Sequence, residues 1–270
     1  MALLLEAALL GVVQGLTEFL PVSSSAHLIL ARAFFGWDAE QFGLPFDVAC
    51  HVGTLTAILI YFRRDIAALL PGLARLHAPA ADRAARTLWY IALATIPAVL
   101  VGGLLGDVID QLRSPRVIAA TLAVGGVLMV VAERLGAQRR DADSLTLVET
   151  LAIGVAQACA LVPGVSRSGA TITMALALGV TRPSGARFSF LLGIPAMLGA
   201  ASLEGLKLAT ADVPMDAATA QVFLVGMVVS AVVGYLTVKF FLQYLVGHTL
   251  NVFAAYRLAL AAATLIWLVA

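Results

Sequence analysis

The 270-residue chain holds only two cysteines, Cys50 and Cys159, far apart and both in apolar stretches. Neither a disulfide framework nor a cysteine-rich metal site can be assembled from them. Charge is equally scarce: Asp, Glu, Lys and Arg make up 12% of the residues and leave a formal net charge of +1. No basic run with interleaved aromatics occurs, so the chain lacks an electrostatic footprint for nucleic acid. The N-terminal MALLLEAALL has neither a basic leader nor a small-residue cleavage site, and it is expected to be part of the mature fold instead of a removable signal. What is abundant is apolar: 61% of the residues are hydrophobic and the mean hydropathy is +0.98. A soluble core of this size cannot absorb so much apolar surface, which makes lipid the main solvent.

The chain also repeats itself. Residues 11–28, GVVQGLTEFLPVSSSAHL, are echoed 143 positions later by residues 154–171, GVAQACALVPGVSRSGAT. Without a gap, Gly11, Val12, Gln14, Val22, Ser23 and Ser25 fall on Gly154, Val155, Gln157, Val165, Ser166 and Ser168, and Glu6 falls on Glu149. The copies differ in their reactive groups. Glu18 and His27 occur only in the first, Arg167 and Thr171 only in the second. Such a division of acid, base and cation points to one composite site at a pseudo-two-fold axis.

Six segments, about 45–62, 88–106, 117–135, 187–206, 220–238 and 250–269, are long and apolar enough to cross a hydrocarbon core of roughly 30 Å. Residues 3–35 and 146–180 are also apolar, but each is broken midway, by Leu20-Pro21-Val22-Ser23-Ser24-Ser25 and by Pro163-Gly164-Val165-Ser166-Arg167-Ser168. Each reads as a re-entrant pair of half-helices meeting at a polar tip, because irregular backbone at membrane depth must be buried or line a wet cavity. The expected fold is therefore an all-α polytopic membrane protein, one membrane domain over 1–270. It has two repeats, 1–135 and 144–270, each a re-entrant pair followed by three transmembrane helices. A re-entrant pair returns to its own side and three spans do not, so the second copy must be inverted. Charge agrees: with 63–87 inside, the segments 63–87, 134–146, 182–187 and 239–249 hold eleven of the seventeen Lys and Arg. The other side keeps Arg32, Arg113, Arg116 and Lys207 beside Asp38, Glu40, Asp107, Asp110, Asp212 and Asp216. This positive-inside bias puts both termini outside.

Pro21 and Pro163-Gly164 stop one half-helix, and the serines after them are suited to cap the next. Each tip then presents free N–H groups, hydroxyls and the positive end of a helix dipole, which together attract an anion. Arg167 adds a planar fork that matches phosphate oxygens, and an intramembrane cation is costly unless it is used. Gln14 and Glu18, four apart, share a helix face, and the carboxylate lies where it could hold a divalent cation through oxygen. His27, in the first turn after the tip, has the chemistry of a general base or a nucleophile toward phosphorus. Together these groups suggest phosphoryl transfer to water.

Other polar residues have plainer explanations. Ser23 and Ser184 are equally well read as helix caps, and Thr146 with Glu149 forms a capping-box pattern. His77 and His248 fall in expected loops. Asp47 and His51, four apart within a span, read as a structural polar pair, while Glu133 and Glu204 lie near span ends where side chains snorkel to water. Arg182-Pro183-Ser184-Gly185 matches part of an acid phosphatase signature, but Ala186 stands where histidine should follow, and the match is discarded.

GVVQGLTEFLPVSSSAH together with PGVSRSGATIT resembles the undecaprenyl-diphosphate phosphatase family, also called the bacitracin-resistance proteins. FDVACHVGTLTAILIYF and RFSFLLGIPA are similar to its other recurrent segments, so the resemblance spans nearly the whole chain. Its first motif falls on Gln14 and Glu18, followed by Ser23, Ser24, Ser25 and His27. Its PGxSRSGxT element falls on Pro163, Gly164, Ser166, Arg167, Ser168, Gly169 and Thr171. The resemblance implies a multi-pass enzyme of the bacterial cytoplasmic (inner) membrane that removes the terminal phosphate of a C55 isoprenoid diphosphate. It implies a divalent cation, Mg²⁺ or Ca²⁺, with Glu18 and Gln14 at the metal or proton-transfer end. It puts His27 and Ser24 near the attacked phosphorus, and Arg167 with its hydroxyl neighbours Ser166, Ser168 and Thr171 on the diphosphate. Two departures stand out. Gln14 replaces a frequent Glu and removes one charge from the metal end, and Ser25-Ala26 stands where Thr-Gly is frequent.

The expected mechanism has His27 attacking phosphorus or activating water, Glu18 binding metal or shuttling a proton, and Arg167 stabilising the transferring phosphoryl. The competing class is an anion or lipid-phosphate transporter or flippase, which uses the same inverted repeats and broken helices. Glu18 with His27 separates the two, because simple anion binding needs neither. The partners implied are a lipid diphosphate and the bilayer, with no nucleic acid, and pairing as a homodimer is left open. The sequence itself does not fix the membrane face to which the site opens; the resemblance favours the outer face.

Overall fold

The computed structural model describes residues 2–37, 42–79, 81–209 and 216–269. Asp38, Glu40 and Asp212 lie outside the described residues, as do the side chains of Glu204 and Lys207. Among the described residues the chain forms eleven α-helices: α1 Ala2–Thr17, α2 Ser24–Phe35, α3 Leu44–Tyr61, α4 Arg63–Leu69, α5 Arg83–Gln111, α6 Pro115–Leu135, α7 Leu147–Cys159, α8 Arg167–Ala177, α9 Arg182–Ala209, α10 Ala217–Tyr244 and α11 Asn251–Val269. Their starts follow from local chemistry. Asp82, Ser114 and Asp216 accept from the backbone N–H three residues on and cap α5, α6 and α10. Thr146 and Glu149 close the expected capping box on α7.

Six helices are long and apolar enough to cross a membrane: α3, α5, α6, residues Arg182–Leu203 of α9, α10 and α11. They coincide with the six expected spans. Three run on well past the expected edges, since α5 has 29 residues and α9 and α10 have 28 each. At 1.5 Å per residue each exceeds the roughly 30 Å hydrocarbon core and must tilt or project from it. Large apolar side chains such as Leu104, Leu128, Leu236 and Ile266 cover the outside of these helices, the surface that lipid solvates.

The two broken stretches supply the shorter helices. α1 stops at Thr17 and α2 starts at Ser24; α7 stops at Cys159 and α8 starts at Arg167. Each packs on a span from the other half of the chain, α1 on α10 and α7 on α5. The glycines at equivalent positions allow both approaches. A Cβ on Gly11 would meet the Gly226 carbonyl at 2.8 Å, and one on Gly154 would meet the Ala94 carbonyl at 2.5 Å. Small residues at crossings of this kind let helix backbones come together in lipid, where no hydrophobic force draws them. Between the halves α3 packs on α9 and α6 on α11. A cluster of edge-packed rings, Phe62, Phe190 and Phe19, fills the centre, with Phe19 and Phe190 centroids 5.5 Å apart. Glu133 corrects its expected role. It does not snorkel to water; its side chain is 2% exposed, taking Arg182 at 2.6 Å and the Leu250 N–H at 2.6 Å.

Candidate active site

Both tips are built on the same local geometry. After each break the capping serine has a positive φ, 75° at Ser23 and 73° at Ser166, a region that costs a residue with a Cβ about 1–3 kcal/mol and persists only where its surroundings impose it. Ser23 Oγ accepts from the Ala26 N–H at 3.4 Å, and Ser166 Oγ accepts from the Gly169 N–H at 3.1 Å. The tips also touch. The Gly164 N–H donates to Ser25 Oγ at 3.4 Å, and Ser168 Oγ donates to the Leu20 carbonyl at 3.1 Å.

A buried residue that sequence reasoning missed ties them together. Arg257, midway along α11 and fully buried, donates to the carbonyls of Pro21 in one tip and of Gly164 and Val165 in the other. It also reaches Thr121 and Leu122 of α6. The guanidinium thus bonds five carbonyls, three in the tips and two in α6. The rule that singled out Arg167, an ionisable group inside an apolar span, would have found it.

Glu18 lies in the first tip and is 6% exposed. Its Oε2 accepts from Ser24 Oγ at 2.7 Å and from Gln14 Nε2 at 3.0 Å; its Oε1 accepts from Arg167 Nη2 at 3.0 Å. His51 of α3 is the imidazole beside this carboxylate, with Nε2 3.4 Å from Glu18 Oε2. Its Nδ1 donates to the Asp47 carbonyl at 2.7 Å, which fixes the ring and turns Nε2 toward Glu18. Asp47 pairs instead with Arg32 at 2.5 Å and Arg113 at 2.8 Å. The Asp47–His51 side-chain pair expected from their spacing is therefore replaced by a backbone contact and two separate tasks. Among the described residues Arg167 Nη1 is buried with no partner, and it lies against Gly193 of α9, where any Cβ would overlap it.

These groups line a cavity of about 260 Å³ with Glu18, Ser23, Ser24, Ser25, Ser166, Arg167, His51 and Arg113 as its polar wall. Leu44 and Val48 of α3 and Met197, Ala200 and Ala201 of α9 form its apolar wall. The remaining expected site residues are elsewhere. Gln14 is fully buried behind Glu18. Ser168 bonds the first tip, and Thr171 Oγ1 donates back to the Arg167 carbonyl at 2.8 Å. Gly169 leaves room for the Ser166 cap and for Arg257 Nη1, which a Cβ would meet at 3.1 Å. His27 faces a separate apolar cleft among α1, α2 and α11. Its Nδ1 donates to the Ser23 carbonyl at 2.7 Å, and its Nε2 lies 2.7 Å from the Tyr256 hydroxyl.

The donor set suits a hard cation. Among the described residues Gln14 Oε1 is a buried acceptor without a partner, next to a carboxylate and the Ser24 hydroxyl, and hard divalent ions prefer such oxygens. No cluster of three or more His, Cys, Asp or Glu able to hold a metal occurs among the described residues, so such an ion would have to complete its shell with water and phosphate oxygen.

Comparison with known proteins extends over the whole fold. The family model described as bacitracin resistance protein BacA matches residues 7–263. A Rubrobacter xylanophilus protein named undecaprenyl-diphosphatase is 48% identical over 264 residues, 96% of each chain. One of the same name from Trichlorobacter lovleyi is 47% identical over 259 residues, 95% of this chain and 94% of its own. A third, from Thermomicrobium roseum, is 45% identical over 267 residues, 94% of each.

Proposed function

The chain belongs to the bacitracin resistance protein family, and from that premise we infer how its residues carry out the reaction. It is an undecaprenyl-diphosphatase, hydrolysing undecaprenyl diphosphate to the monophosphate and inorganic phosphate and so recycling the lipid carrier for cell-wall synthesis. It is a multi-pass membrane protein, and its proposed location is the bacterial cytoplasmic membrane.

One observation carries the chemistry: the Ser24 hydroxyl donates to Glu18 at 2.7 Å while Arg167 holds the other carboxylate oxygen at 3.0 Å. Hydroxyl, base and phosphate-matching cation meet at one point. In this reading Ser24 Oγ attacks the terminal phosphorus and its proton passes to Glu18. The anhydride P–O bond breaks, and the departing lipid monophosphate takes the electron pair and the proton. Water then attacks the phosphoserine, Glu18 accepts its proton, and the P–Oγ bond breaks. Ser24 regains the proton as inorganic phosphate leaves. Arg167 stabilises the phosphoryl oxygens, where charge develops in both steps. The expected role of His27 as nucleophile or base is not the one this geometry favours, because both ring nitrogens are engaged away from the cavity. Its task is instead to hold the Ser23 carbonyl and thereby the tip. When bound, a divalent cation held by Glu18 and Gln14 would neutralise charge on the diphosphate.

The matched serine caps, the equivalent glycine contacts and the cross-packing of α1 on α10 and α7 on α5 support an inverted repeat with two re-entrant pairs. The cavity is lined by the first turns of α3, by Arg113 between α5 and α6, and by the second half of α9. All lie at the end away from the arginine-rich 63–87 loop, which supports access from the outer face. An anion or lipid-phosphate carrier needs no hydroxyl bonded to a buried carboxylate, which favours hydrolysis over transport.

Phosphate release from undecaprenyl diphosphate by the purified protein tests the reading. Ser24→Ala and Glu18→Gln are each expected to lower kcat about 10³-fold or more, as removal of a nucleophile or its base does. Release at the unaltered rate by both variants would overturn it.

A further inference from the structure

We propose that Arg113 binds the lipid-linked phosphate of the substrate, the one that stays with the product, and so gives the cavity its preference for a diphosphate. The inference rests on the hydrolytic reading above and adds to it a residue that the sequence motifs leave out.

Among the described residues, charge in the cavity does not balance without a ligand. Glu18 and Arg167 neutralise each other at 3.0 Å. Behind the wall, Asp47 is already matched by Arg32, which holds both of its oxygens at 2.5 and 3.0 Å. Arg113 adds a second guanidinium to that one carboxylate through Nη2 alone, at 2.8 Å. Among the described residues its Nε and Nη1 have no protein partner, and the side chain is 26% exposed where it lines the cavity. Among the described residues the surplus positive charge of the site is therefore the one on Arg113. A guanidinium anchored through one nitrogen and open through the rest is arranged to accept phosphate oxygens in its fork.

Its position selects which phosphate. Asp47 and His51 are four residues, about one turn, apart on α3, about 6 Å along the axis. His51 meets Glu18, so Arg113, on Asp47, stands about one turn nearer the outer end of α3 than the groups that act on the terminal phosphorus. Leu44 and Val48 flank that level and begin the apolar wall with Met197, Ala200 and Ala201. A substrate with its terminal phosphate at Ser24 and its hydrocarbon on this wall brings the lipid-linked phosphate to Arg113.

The test compares Arg113→Gln and Arg113→Lys with the unaltered enzyme in detergent. Arg113→Gln is expected to raise KM for undecaprenyl diphosphate about tenfold or more, the loss of one charge-assisted hydrogen bond, with kcat changed less than about twofold. Inhibition by undecaprenyl monophosphate should weaken in parallel, while inhibition by inorganic phosphate stays the same. Arg113→Lys should fall between the two, which keeps the test usable where the glutamine variant folds poorly. The double variant Asp47→Asn/Arg113→Gln removes the carboxylate that Arg113 accompanies, and its KM should remain high. Recovery of the normal KM in that double variant, or an unchanged KM in Arg113→Gln, overturns the proposal. Failure of the unaltered protein to release phosphate would instead overturn the hydrolytic reading on which it rests.

Discussion

Arg167 and Glu18, 149 residues apart in the chain, meet Nη2 to Oε1 at 3.0 Å in the interior of the bundle. The contact joins the second tip to the first, and each ion is the other's counter-charge. Removing one partner of such a pair leaves a buried charge and costs about 3–5 kcal/mol. Arg167→Met should therefore lower both activity and thermal stability in detergent, whereas Arg167→Met/Glu18→Gln should recover much of the stability and none of the activity. Equal melting temperatures for the single and double variants would contradict the pairing.

Gly193 sets the place of Arg167 from the opposite side, since a Cβ there would occupy the position of Nη1. Gly193→Ala should push the guanidinium off Glu18 and lower kcat about 10²-fold, the scale expected for a 1 Å misplacement. The helix itself tolerates alanine better than glycine, so a loss of activity without a loss of helicity by circular dichroism is the expected pair of readings.

Arg257 joins five carbonyls of three segments, and lysine cannot reproduce that fork. Arg257→Lys should destabilise the protein by at least about 3 kcal/mol, the loss of two or more hydrogen bonds to a charged group. Denaturant unfolding in a fixed detergent would measure it, and a shift below about 1 kcal/mol would exclude the keystone role.

Trapping the reaction during turnover distinguishes Ser24 from His27. A phosphoserine survives acid and a phosphohistidine does not, so labelled enzyme quenched in acid should keep its label in His27→Gln and lose it in Ser24→Ala. Tyr256→Phe, which removes only the outer partner of His27, should keep activity within about fivefold.

The capping box on α7 gives a pH dependence. Hydrogen bonds from Arg140 and then from the Thr146 backbone hold the Glu149 carboxyl down to about 2. A depressed folded-state value stabilises the protein above the ordinary carboxylate range and loses that contribution as pH falls toward 2. Glu149→Gln should therefore melt below the unaltered protein at pH 7, and the gap should close on going from about pH 4.5 to 2. A gap that is constant over that range would place the effect elsewhere.

The six spans, the two breaks and the serine caps were legible in the sequence because hydrophobic length, proline and capping chemistry are local properties. The 143-residue echo likewise puts Glu18 and Arg167 in one site, and the structure brings them into contact. What the chain alone could not decide was which imidazole accompanies them. His27 follows the serine tip in sequence, yet its side chain leaves on the far side of α2 and binds Tyr256, 229 residues away. His51, whose spacing suggests a structural partner of Asp47, is turned to Glu18 by the crossing of α3 with the first tip. The same holds for Arg113 and Arg257, whose partners lie 66 and up to 236 residues distant. Local sequence determined the helices and where their backbone is left exposed, because those depend on neighbours along the chain. Only the tertiary packing decided which side chains meet those exposed groups, because the direction of a side chain across a helix crossing is set by the helices on both sides of it.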